Sequence, residues 1–335
     1  MLFDPKEIYI EAKALDYYLG KKLHDHYSLL KKPIHIITSH HKIDELRSLP
    51  DEEFNNMKKL LVIGTRKSLK ISNNERSADF IVPFTSSGCS ARCLYCYLMC
   101  TFFTNSYLRV FVNRDDIWKS ILRKAESLNK EAVFEIGSNS DMVLEDSITG
   151  NLQWAIEKFA YLKNGRATLA TKFADIDPLL NLDHKGKTQI RLSVNPKKYV
   201  GKIEIGTSIL EKRIVAANKL CSAGYRVGIN IAPVMLLEDW KTQYEQLFTQ
   251  LAEGLSYLVK DQLFIEIIFM TCGLANEKII NAALPNTVKL LDKSLMKPKG
   301  RGKYHYRNEI REDATIFLKE KIQHFFPKAT INYIC

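Results

Sequence analysis

The chain has 335 residues, of which 46% are hydrophobic and 26% charged, a composition typical of a soluble globular protein with a sizeable core. The formal net charge of +11 favours a polyanionic partner such as nucleic acid and is equally compatible with a solvated basic surface. The N-terminal segment carries early acidic residues and no sustained apolar run, so neither a secretory signal nor a membrane span is expected there. Seven cysteines, an odd number, fit a reducing compartment better than a disulfide framework, and we expect a cytoplasmic protein.

Residues 1–75 contain short apolar pieces separated by charged connections, and this pattern predicts a small α/β N-terminal region. From residue 80 onward, β-branched apolar runs alternate with longer helical patterns, which indicates parallel βα units. The predicted strands are Phe80–Thr85, Ala132–Gly137, Ala167–Thr171, Gln189–Val194, Arg226–Val234 and Phe264–Met270. The predicted helices include Asp115–Leu128, Leu152–Leu162, Leu210–Ala223 and Thr242–Leu258.

Six successive βα units favour a partial (β/α)6 barrel over residues 76–335, with residues 1–75 packed on it. We prefer the barrel to a doubly wound sheet because its concave lumen admits a large substrate, a preference that rests partly on fold analogy. In such barrels functional groups gather at the C-terminal ends of the strands. The set found there comprises the three clustered cysteines, Ser138–Asp141, Thr171, Lys172, Arg191, Ser193, Asn195, Asn230, Ala232–Pro233 and, at the last strand, Thr271 and Cys272.

Three cysteines, Cys89, Cys93 and Cys96, directly follow the first predicted strand. Their spacing lets three thiolates bind three irons of a 4Fe-4S cluster and leaves the fourth iron without a protein ligand. A structural zinc site would normally need a fourth cysteine or histidine at a compatible distance. The nearest further thiol is Cys100, and no histidine lies between His41 and His184. The pattern therefore favours a cluster over zinc and over a chance grouping of thiols.

The spacing CxxxCxxC, with Tyr95 directly before the last cysteine, resembles the cluster motif of the radical S-adenosylmethionine superfamily. The resemblance implies that S-adenosyl-L-methionine binds the open iron and that an electron from the cluster cleaves it to a 5'-deoxyadenosyl radical. Lys172, emerging from a buried strand, needs an anionic partner, and the methionyl carboxylate would supply one. Ser140 and Asp141 either hold a ligand or cap a helix.

A colinear set of matches over almost the whole chain resembles the spore photoproduct lyase family. This resemblance implies repair of the thymine dimer 5-thyminyl-5,6-dihydrothymine in spore DNA, with the adenosyl radical abstracting hydrogen and two thymines resulting. The matching segments are Ser87–Leu98, Ser106–Asn113, Phe134–Asp141, Thr171–Phe173, Arg191–Asn195, Gly206–Ser208, Lys212–Arg213, Ile231–Pro233 and Gly302–Tyr304.

The same resemblance implies roles for individual residues and partners. Cys89, Cys93 and Cys96 match the cluster ligands, and Tyr95 and Tyr97 match the family's tyrosines that flank the last ligand. The implied partners are DNA carrying the thymine photoproduct and a reductant such as flavodoxin or ferredoxin, with no membrane. The positions implied to contact the cofactor are Ser140, Lys172, Ser193, Ala232 and Tyr97.

One position departs from the family pattern. The better-known form has a hydrogen-donating cysteine after the second strand, where this chain has Ser138. An aliphatic O–H bond is too strong to give a hydrogen atom readily to a thymine radical, so either another donor serves or the activity differs. Cys100 is the first candidate and Cys272 the second, while Tyr95 or Tyr97 would relay a hydrogen atom with or without a thiol. Cys221 falls within a predicted helix and is interpreted as core packing.

The basic segment 297–307 interleaves glycines with cations and aromatic residues, a pattern that fits a hairpin tip. Its cations would neutralise phosphates and its rings would contact bases exposed by flipping. The resemblance agrees, since the family is thought to use a hairpin near this point, and it singles out Arg301, Lys303 and Tyr304. A plain exposed basic turn is the alternative.

Two other functions stay open at this point. A relative with the same radical initiation would act on a different substrate. A non-catalytic iron-sulfur protein that binds DNA would leave Lys172 and the strand-end serines without a ligand to explain them.

Overall fold

The computed structural model describes residues 3–99 and 106–335, so the candidate donor Cys100 lies outside the described residues. The chain forms two compact units. The first contains residues 1–90, 98–169 and 182–188, and the second contains residues 91–97, 170–181 and 189–335. The domain boundary that the sequence suggested near residue 75 stays a prediction.

The first unit contains a five-stranded sheet, three strands of which come from residues 1–75. Its strands follow the order Ile34–Ile37, Glu7–Glu11, Leu60–Gly64, Leu108–Phe111 and Ser86–Ser87. The first four are parallel and the last is antiparallel. Leu60–Gly64 is apolar and buried along its length, as expected of a strand covered on both faces. These strands agree with the predicted α/β character of the N-terminal region.

A second group of strands in the first unit contains the early part of the predicted barrel. Gly165–Thr171, whose last two residues belong to the other unit, pairs in parallel with Ala132–Glu135, which in turn pairs with Phe80–Ile81. Ser72–Asn73 closes this group in antiparallel orientation. The first predicted strand, Phe80–Thr85, was too long. Pro83 offers no N–H to continue the ladder, and Ser86–Ser87 pairs instead with Leu108–Phe111.

Helices alternate with these strands along the chain of the first unit. Amphipathic patterning predicted two of them closely, because apolar residues recur along the buried face of each. The α-helices are Tyr18–Leu29, Asp44–Arg47, Phe54–Met57, Arg114–Glu126, Met142–Thr149 and Asn151–Ala160.

The second unit is built on four parallel strands in the order Thr188–Val194, Arg226–Val234, Phe264–Phe269 and Thr330–Ile334. All but the first residue of Thr188–Val194 belong to this unit. The first three strands confirm the predictions within a residue or two, and Thr330–Ile334 is an addition. Ile190, Ile229 and Ile265 are almost fully buried, so these strands form the centre of the core.

Two smaller antiparallel arrangements complete the second unit. Thr271–Gly273, Lys303–Tyr306 and Met296–Gly300 form a three-stranded sheet, and Arg92–Cys93 pairs with Glu204–Ile205.

No helix within residues 3–99 and 106–335 has the length and apolarity that crossing a bilayer requires. The α-helices are Lys197–Ile203, Leu210–Ser222, Trp240–Gly254, Tyr257–Asp261, Leu274–Ala283 and Asn308–Phe325.

Candidate active site

The segment that carries Cys93 and Cys96 is held in place by main-chain and side-chain contacts within the second unit. Cys93 lies opposite Glu204 in the short antiparallel pair, and the Leu94 N–H donates to the carbonyl of Ile203 at 3.0 Å. The Asn276 side chain donates to the carbonyl of Cys96 at 2.8 Å. These contacts hold the backbone on both sides of Tyr95.

Glu204 is the centre of a buried polar network in the second unit. The Tyr95 hydroxyl donates to Glu204 Oε1 at 2.5 Å, and the Asn195 amide donates to the same oxygen at 2.8 Å. Arg213 Nη2 donates to Glu204 Oε2 at 2.7 Å, and Lys172 Nζ lies 3.2 Å from Oε1. We call these five residues, Tyr95, Lys172, Asn195, Glu204 and Arg213, the Glu204 network.

The charges within the Glu204 network decide the protonation of its members. Burial alone would raise the pKa of Glu204, but Lys172 and Arg213, helped by the donors Tyr95 and Asn195, lower it to about 2. Burial raises the pKa of Tyr95 well above 10, and the neighbouring Glu204 carboxylate raises it further. At neutral pH Glu204 is therefore an anion and Tyr95 a neutral phenol that donates its hydrogen to it.

The anionic partner expected for Lys172 is present within the protein itself. The protein supplies its own carboxylate, Glu204, and the Lys172 ammonium also donates to the carbonyl of Ala232 at 2.6 Å. Ser193 joins the same region through its carbonyl, which accepts from Arg213 Nη1 at 2.8 Å. Lys172, Ser193 and Ala232, chosen separately from strand ends, are thus brought together around Glu204.

Cys89 belongs to the first unit, beside the loop that follows the strand Ala132–Glu135. The Gly88 N–H donates to the carbonyl of Asn139 at 2.9 Å. Gly88 has φ +85°, and a β-carbon there would lie 2.3 Å from the carbonyl oxygen of Tyr107, so only glycine fits. The Ser140 hydroxyl bonds the hydroxyl of Ser86. These contacts hold the Ser138–Ser140 loop against the segment that ends in Cys89.

The two other polar residues of this loop have separate roles. The Asp141 carboxylate accepts from the Val143 N–H at 3.1 Å, so Asp141 caps the helix Met142–Thr149. The Ser138 hydroxyl accepts from the Asn139 amide at 3.2 Å. The helix-cap interpretation is therefore confirmed for Asp141.

Thiols outside the three-cysteine loop lie in different settings. Cys221 is buried in the helix Leu210–Ser222, where Gln262 donates to its sulfur at 3.0 Å, as core packing predicts. Cys272 lies on Thr271–Gly273, beyond the end of the strand Phe264–Phe269, and burial raises its pKa to about 12. A pocket of the second unit is lined by Cys272 and Tyr95 together with Asn276. Tyr97 is about half exposed.

The basic segment forms the predicted hairpin. Met296–Gly300 and Lys303–Tyr306 are antiparallel, and Arg301 lies at the tip with φ +51° between two glycines that also have positive φ. Arg301 and Lys303 are exposed, and Tyr304 is half-buried. Tyr304 lies opposite Cys272 in the ladder, so the hairpin is anchored beside that cysteine.

Comparison with known proteins decides which family has this architecture. The family model for spore photoproduct lyase matches residues 3–335. The chain belongs to the spore photoproduct lyase family. It is 35% identical to the spore photoproduct lyase of Bacillus subtilis (strain 168) and 34% identical to that of Geobacillus sp. (strain Y412MC61). Each comparison covers 99% of this chain and 98% of the relative.

Solved structures of spore photoproduct lyase agree with this assignment. A double mutant with bound S-adenosylmethionine and dinucleoside spore photoproduct has a TM-score of 0.94 to this chain at 32% identity, with 100% of both chains covered. A complex with dinucleoside spore photoproduct has a TM-score of 0.93 at 33% identity, again with complete coverage. The predicted fold class, an α/β partial barrel of radical S-adenosylmethionine type, is therefore confirmed.

The donor chemistry of the three-cysteine loop fits an iron-sulfur cluster of this family. None of the cysteines in residues 3–99 and 106–335 forms a disulfide, so Cys89, Cys93 and Cys96 keep their thiols as metal donors. In the same part of the chain, no group of three or more His, Cys, Asp or Glu could hold a metal ion. This finding applies to an iron-sulfur cluster as much as to zinc, so it does not distinguish the two.

Glu204 is the residue that sequence reasoning missed. It lies in a short connection between two helices, next to the matched segment Gly206–Ser208, and its flanking isoleucines were the available signal. An acid between Ile203 and Ile205 in a short apolar run is a candidate for burial with a cationic partner.

Proposed function

We propose that this protein is a radical S-adenosylmethionine lyase that repairs spore photoproduct in DNA. The observation that carries the proposal is the full-length likeness to a spore photoproduct lyase structure whose bound molecules are S-adenosylmethionine and dinucleoside spore photoproduct. The chain's own three-cysteine loop supports the same chemistry. The reaction would convert 5-thyminyl-5,6-dihydrothymine to two thymines.

Cys89, Cys93 and Cys96 would hold a 4Fe-4S cluster through their thiolates. When bound and reduced, the cluster supplies the electron that cleaves S-adenosylmethionine and so generates the radical that attacks the lesion. The contacts of Cys93 and Cys96 in the second unit and of Cys89 in the first each hold the main chain of the cysteine concerned.

Ser140, Lys172, Ser193, Ala232 and Tyr97 would bind the cofactor. Within this set, Lys172 is a fixed cation, because Glu204 and the carbonyl of Ala232 hold its ammonium. A fixed ammonium attracts a carboxylate without the entropic cost of ordering a mobile lysine side chain. Glu204 thereby acts as a positioning residue for cofactor binding.

Return of a hydrogen atom to the product radical needs a donor other than Ser138. Tyr95 would relay the hydrogen atom by giving its O–H hydrogen to the product radical and taking one from a thiol, which restores the phenol that donates to Glu204. Cys272 lines the same pocket as Tyr95, which favours it as the thiol donor. Cys100 stays a candidate on its sequence position alone.

DNA would be bound by the hairpin around Arg301, Lys303 and Tyr304. The exposed cations would neutralise phosphates, and the half-buried ring of Tyr304 would contact a displaced base. The net charge of +11 supports an anionic partner. A reductant such as flavodoxin or ferredoxin would supply the electron.

The proposal is tested by Cys93→Ala, with Cys221→Ala as the matched control. Cys93→Ala removes a cluster ligand, so reconstituted protein should lose most bound iron, its cluster absorbance and the cleavage of S-adenosylmethionine. Cys221→Ala should keep all three, because Cys221 lies in a helix among core residues. A well-folded Cys93→Ala protein that still cleaves S-adenosylmethionine would refute the cluster assignment. DNA binding by wild type without any such cleavage would favour a non-catalytic protein.

A further inference from the structure

A buried lysine contacts the first cysteine of the three-cysteine loop. Lys58 directly follows the short helix Phe54–Met57 and is only 4% exposed. Its ammonium donates to the main-chain carbonyl of Cys89 at 2.7 Å and lies 5.2 Å from the centre of the Phe54 ring. Lysine is almost never buried this completely unless it is paired, and one partner of Lys58 is this carbonyl. The contact therefore places a positive charge, in a low-dielectric setting, on the residue proposed as a cluster ligand.

We infer that Lys58 tunes the reduction potential of the cluster and makes it easier to reduce. The inference rests on the proposed function, because it requires a cluster bound by Cys89. One-electron reduction adds a negative charge to the cluster and its three thiolates, with the electron coming from the external reductant. A nearby buried cation stabilises the more negative reduced form more than the oxidised form. Net charge and hydrogen bonding around a cluster are the means by which a protein sets its potential.

Two neighbouring cations, Lys59 and Arg109, do not combine burial with a bond to Cys89. Lys59, the next residue, is exposed, so water and salt screen its charge. Arg109 is buried, but its guanidinium donates to the hydroxyl of Ser87 at 3.1 Å, two residues before Cys89. Lys58 differs from both because its ammonium bonds the ligand residue itself.

The experiment compares Lys58→Met with Lys59→Met. The two substitutions remove the same charge from adjacent positions, one buried and one exposed. Each protein is reconstituted anaerobically, its iron and sulfide are measured, and its midpoint potential is determined by redox titration followed by cluster absorbance and electron paramagnetic resonance. At a fixed solution potential, Lys58→Met should lower the ratio of reduced to oxidised cluster on the order of tenfold. This change corresponds to a midpoint potential lower by about 59 mV for one electron. Lys59→Met should leave the wild-type ratio unchanged.

Further variants separate charge from hydrogen bonding. Lys58→Arg keeps the charge and should keep a potential near that of wild type. Lys58→Gln keeps a donor for the Cys89 carbonyl without the charge and should shift the potential as Lys58→Met does. Equal potentials for wild type, Lys58→Met and Lys58→Gln would overturn the inference. Loss of the cluster from both neutral variants would also count against it, since a tuning residue is dispensable for assembly.

Failure of the proposed function gives a different result. If wild-type protein binds no iron-sulfur cluster, then the cluster assignment at Cys89, Cys93 and Cys96 is wrong and Lys58 has no cluster to tune. If the cluster assembles normally and its midpoint potential is the same in wild type and in the Lys58 variants, the proposed function stands and only the role of Lys58 is refuted.

Discussion

Glu204 in the second unit and Glu145 in the first unit are both buried almost completely, yet their pKa values are shifted in opposite directions. Glu204 in the second unit contacts the cations Lys172 and Arg213, and its pKa falls to about 2. Glu145 in the first unit is equally buried, and burial raises its pKa to about 7. Burial is the same for both carboxyl groups, so the partners decide which one is ionised.

Among the residues that the structure describes, the hydrogen-bond donors to Glu145 are neutral groups, and the charge of Asp146 raises its pKa further. Oε1 accepts from the Thr149 hydroxyl at 2.5 Å and from the Asn151 amide at 2.7 Å, and Oε2 accepts from the Thr85 hydroxyl at 3.4 Å. These donors lower the pKa less than burial raises it. Glu145 therefore links three segments of the first unit as a group that titrates near neutrality, whereas Glu204 is a permanent anion beside Tyr95.

The two glutamates differ in whether they need a cationic partner. A fixed anion requires cations, and one of the cations of Glu204 is Lys172, a proposed cofactor contact. Glu145 needs no cation because it spends much of its time protonated, and none of the proposed site residues bonds its carboxyl group. We expect substitutions at the two positions to change stability in opposite directions.

The largest effect is expected for Glu204→Gln. Removing this anion leaves the charges of Lys172 and Arg213 uncompensated in a buried setting, which costs about 3–5 kcal/mol. Urea unfolding at pH 7 measures the loss. The matched control is Glu211→Gln, which breaks the exposed pair with Lys197 and should cost at most about 1 kcal/mol. Equal small losses for both variants would show that the Glu204 network does not hold a charge.

The next largest effect is a gain from Glu145→Gln that depends on pH. The folded-state pKa of about 7 exceeds the ordinary 4.5, so the folded protein holds a proton that the unfolded chain releases between these values. The contribution of Glu145 to the free energy of unfolding is therefore largest below pH 4.5. It declines by about 3 kcal/mol as the pH rises through 7. Gln carries no such penalty, so the variant should match wild type near pH 4.5 and exceed it at pH 8.

Urea unfolding at pH 5, 6, 7 and 8 tests this expectation for Glu145→Gln against Glu157→Gln, a substitution at an exposed position of the helix Asn151–Ala160. The difference from wild type should grow with pH for the buried position and stay flat for the exposed one. A flat difference for both would mean that Glu145 is ionised in the folded protein throughout this range.

A smaller effect is expected for Tyr95→Phe. The substitution removes one donor to the Glu204 carboxylate and should cost about 2 kcal/mol, as expected for a hydrogen bond to a charged group. In a Glu204→Gln background the same change should cost much less, because the charged acceptor is gone. A double-mutant cycle of unfolding free energies gives the coupling directly, and additive losses would contradict the proposed link between Tyr95 and Glu204.

Sequence patterns predicted the regular parts of the fold well because burial on both faces leaves a local signature. Runs such as Phe264–Phe269 and Arg226–Val234 are almost entirely apolar, and the structure has them as central strands. The first barrel strand was predicted too long because Pro83 was given too little weight. Thr330–Ile334 was missed because its alternating burial at the sheet edge gives a weaker apolar run.

The candidate site was predictable only where its residues follow strands. Lys172, Ser193 and Ala232 were found in this way, and the structure brings them together. Glu204 was not found, because no local pattern shows that Lys172, from the end of another strand, and Arg213, nine residues further along, converge on this carboxylate. The same limit explains why Lys58 drew no attention, since nothing in a Lys-Lys pair after a short helix indicates burial against Cys89.

The proposed function is tested most directly by product analysis of a single reaction. Reduced, reconstituted wild-type protein is incubated without oxygen with S-adenosylmethionine and a dinucleotide spore photoproduct, and thymine dinucleotide and 5'-deoxyadenosine are separated by chromatography. Cys93→Ala protein provides the background. Thymine dinucleotide should appear as the photoproduct disappears, with little accumulation of 5'-deoxyadenosine. Formation of 5'-deoxyadenosine without any thymine dinucleotide would keep the radical chemistry and contradict the assignment of spore photoproduct as the substrate.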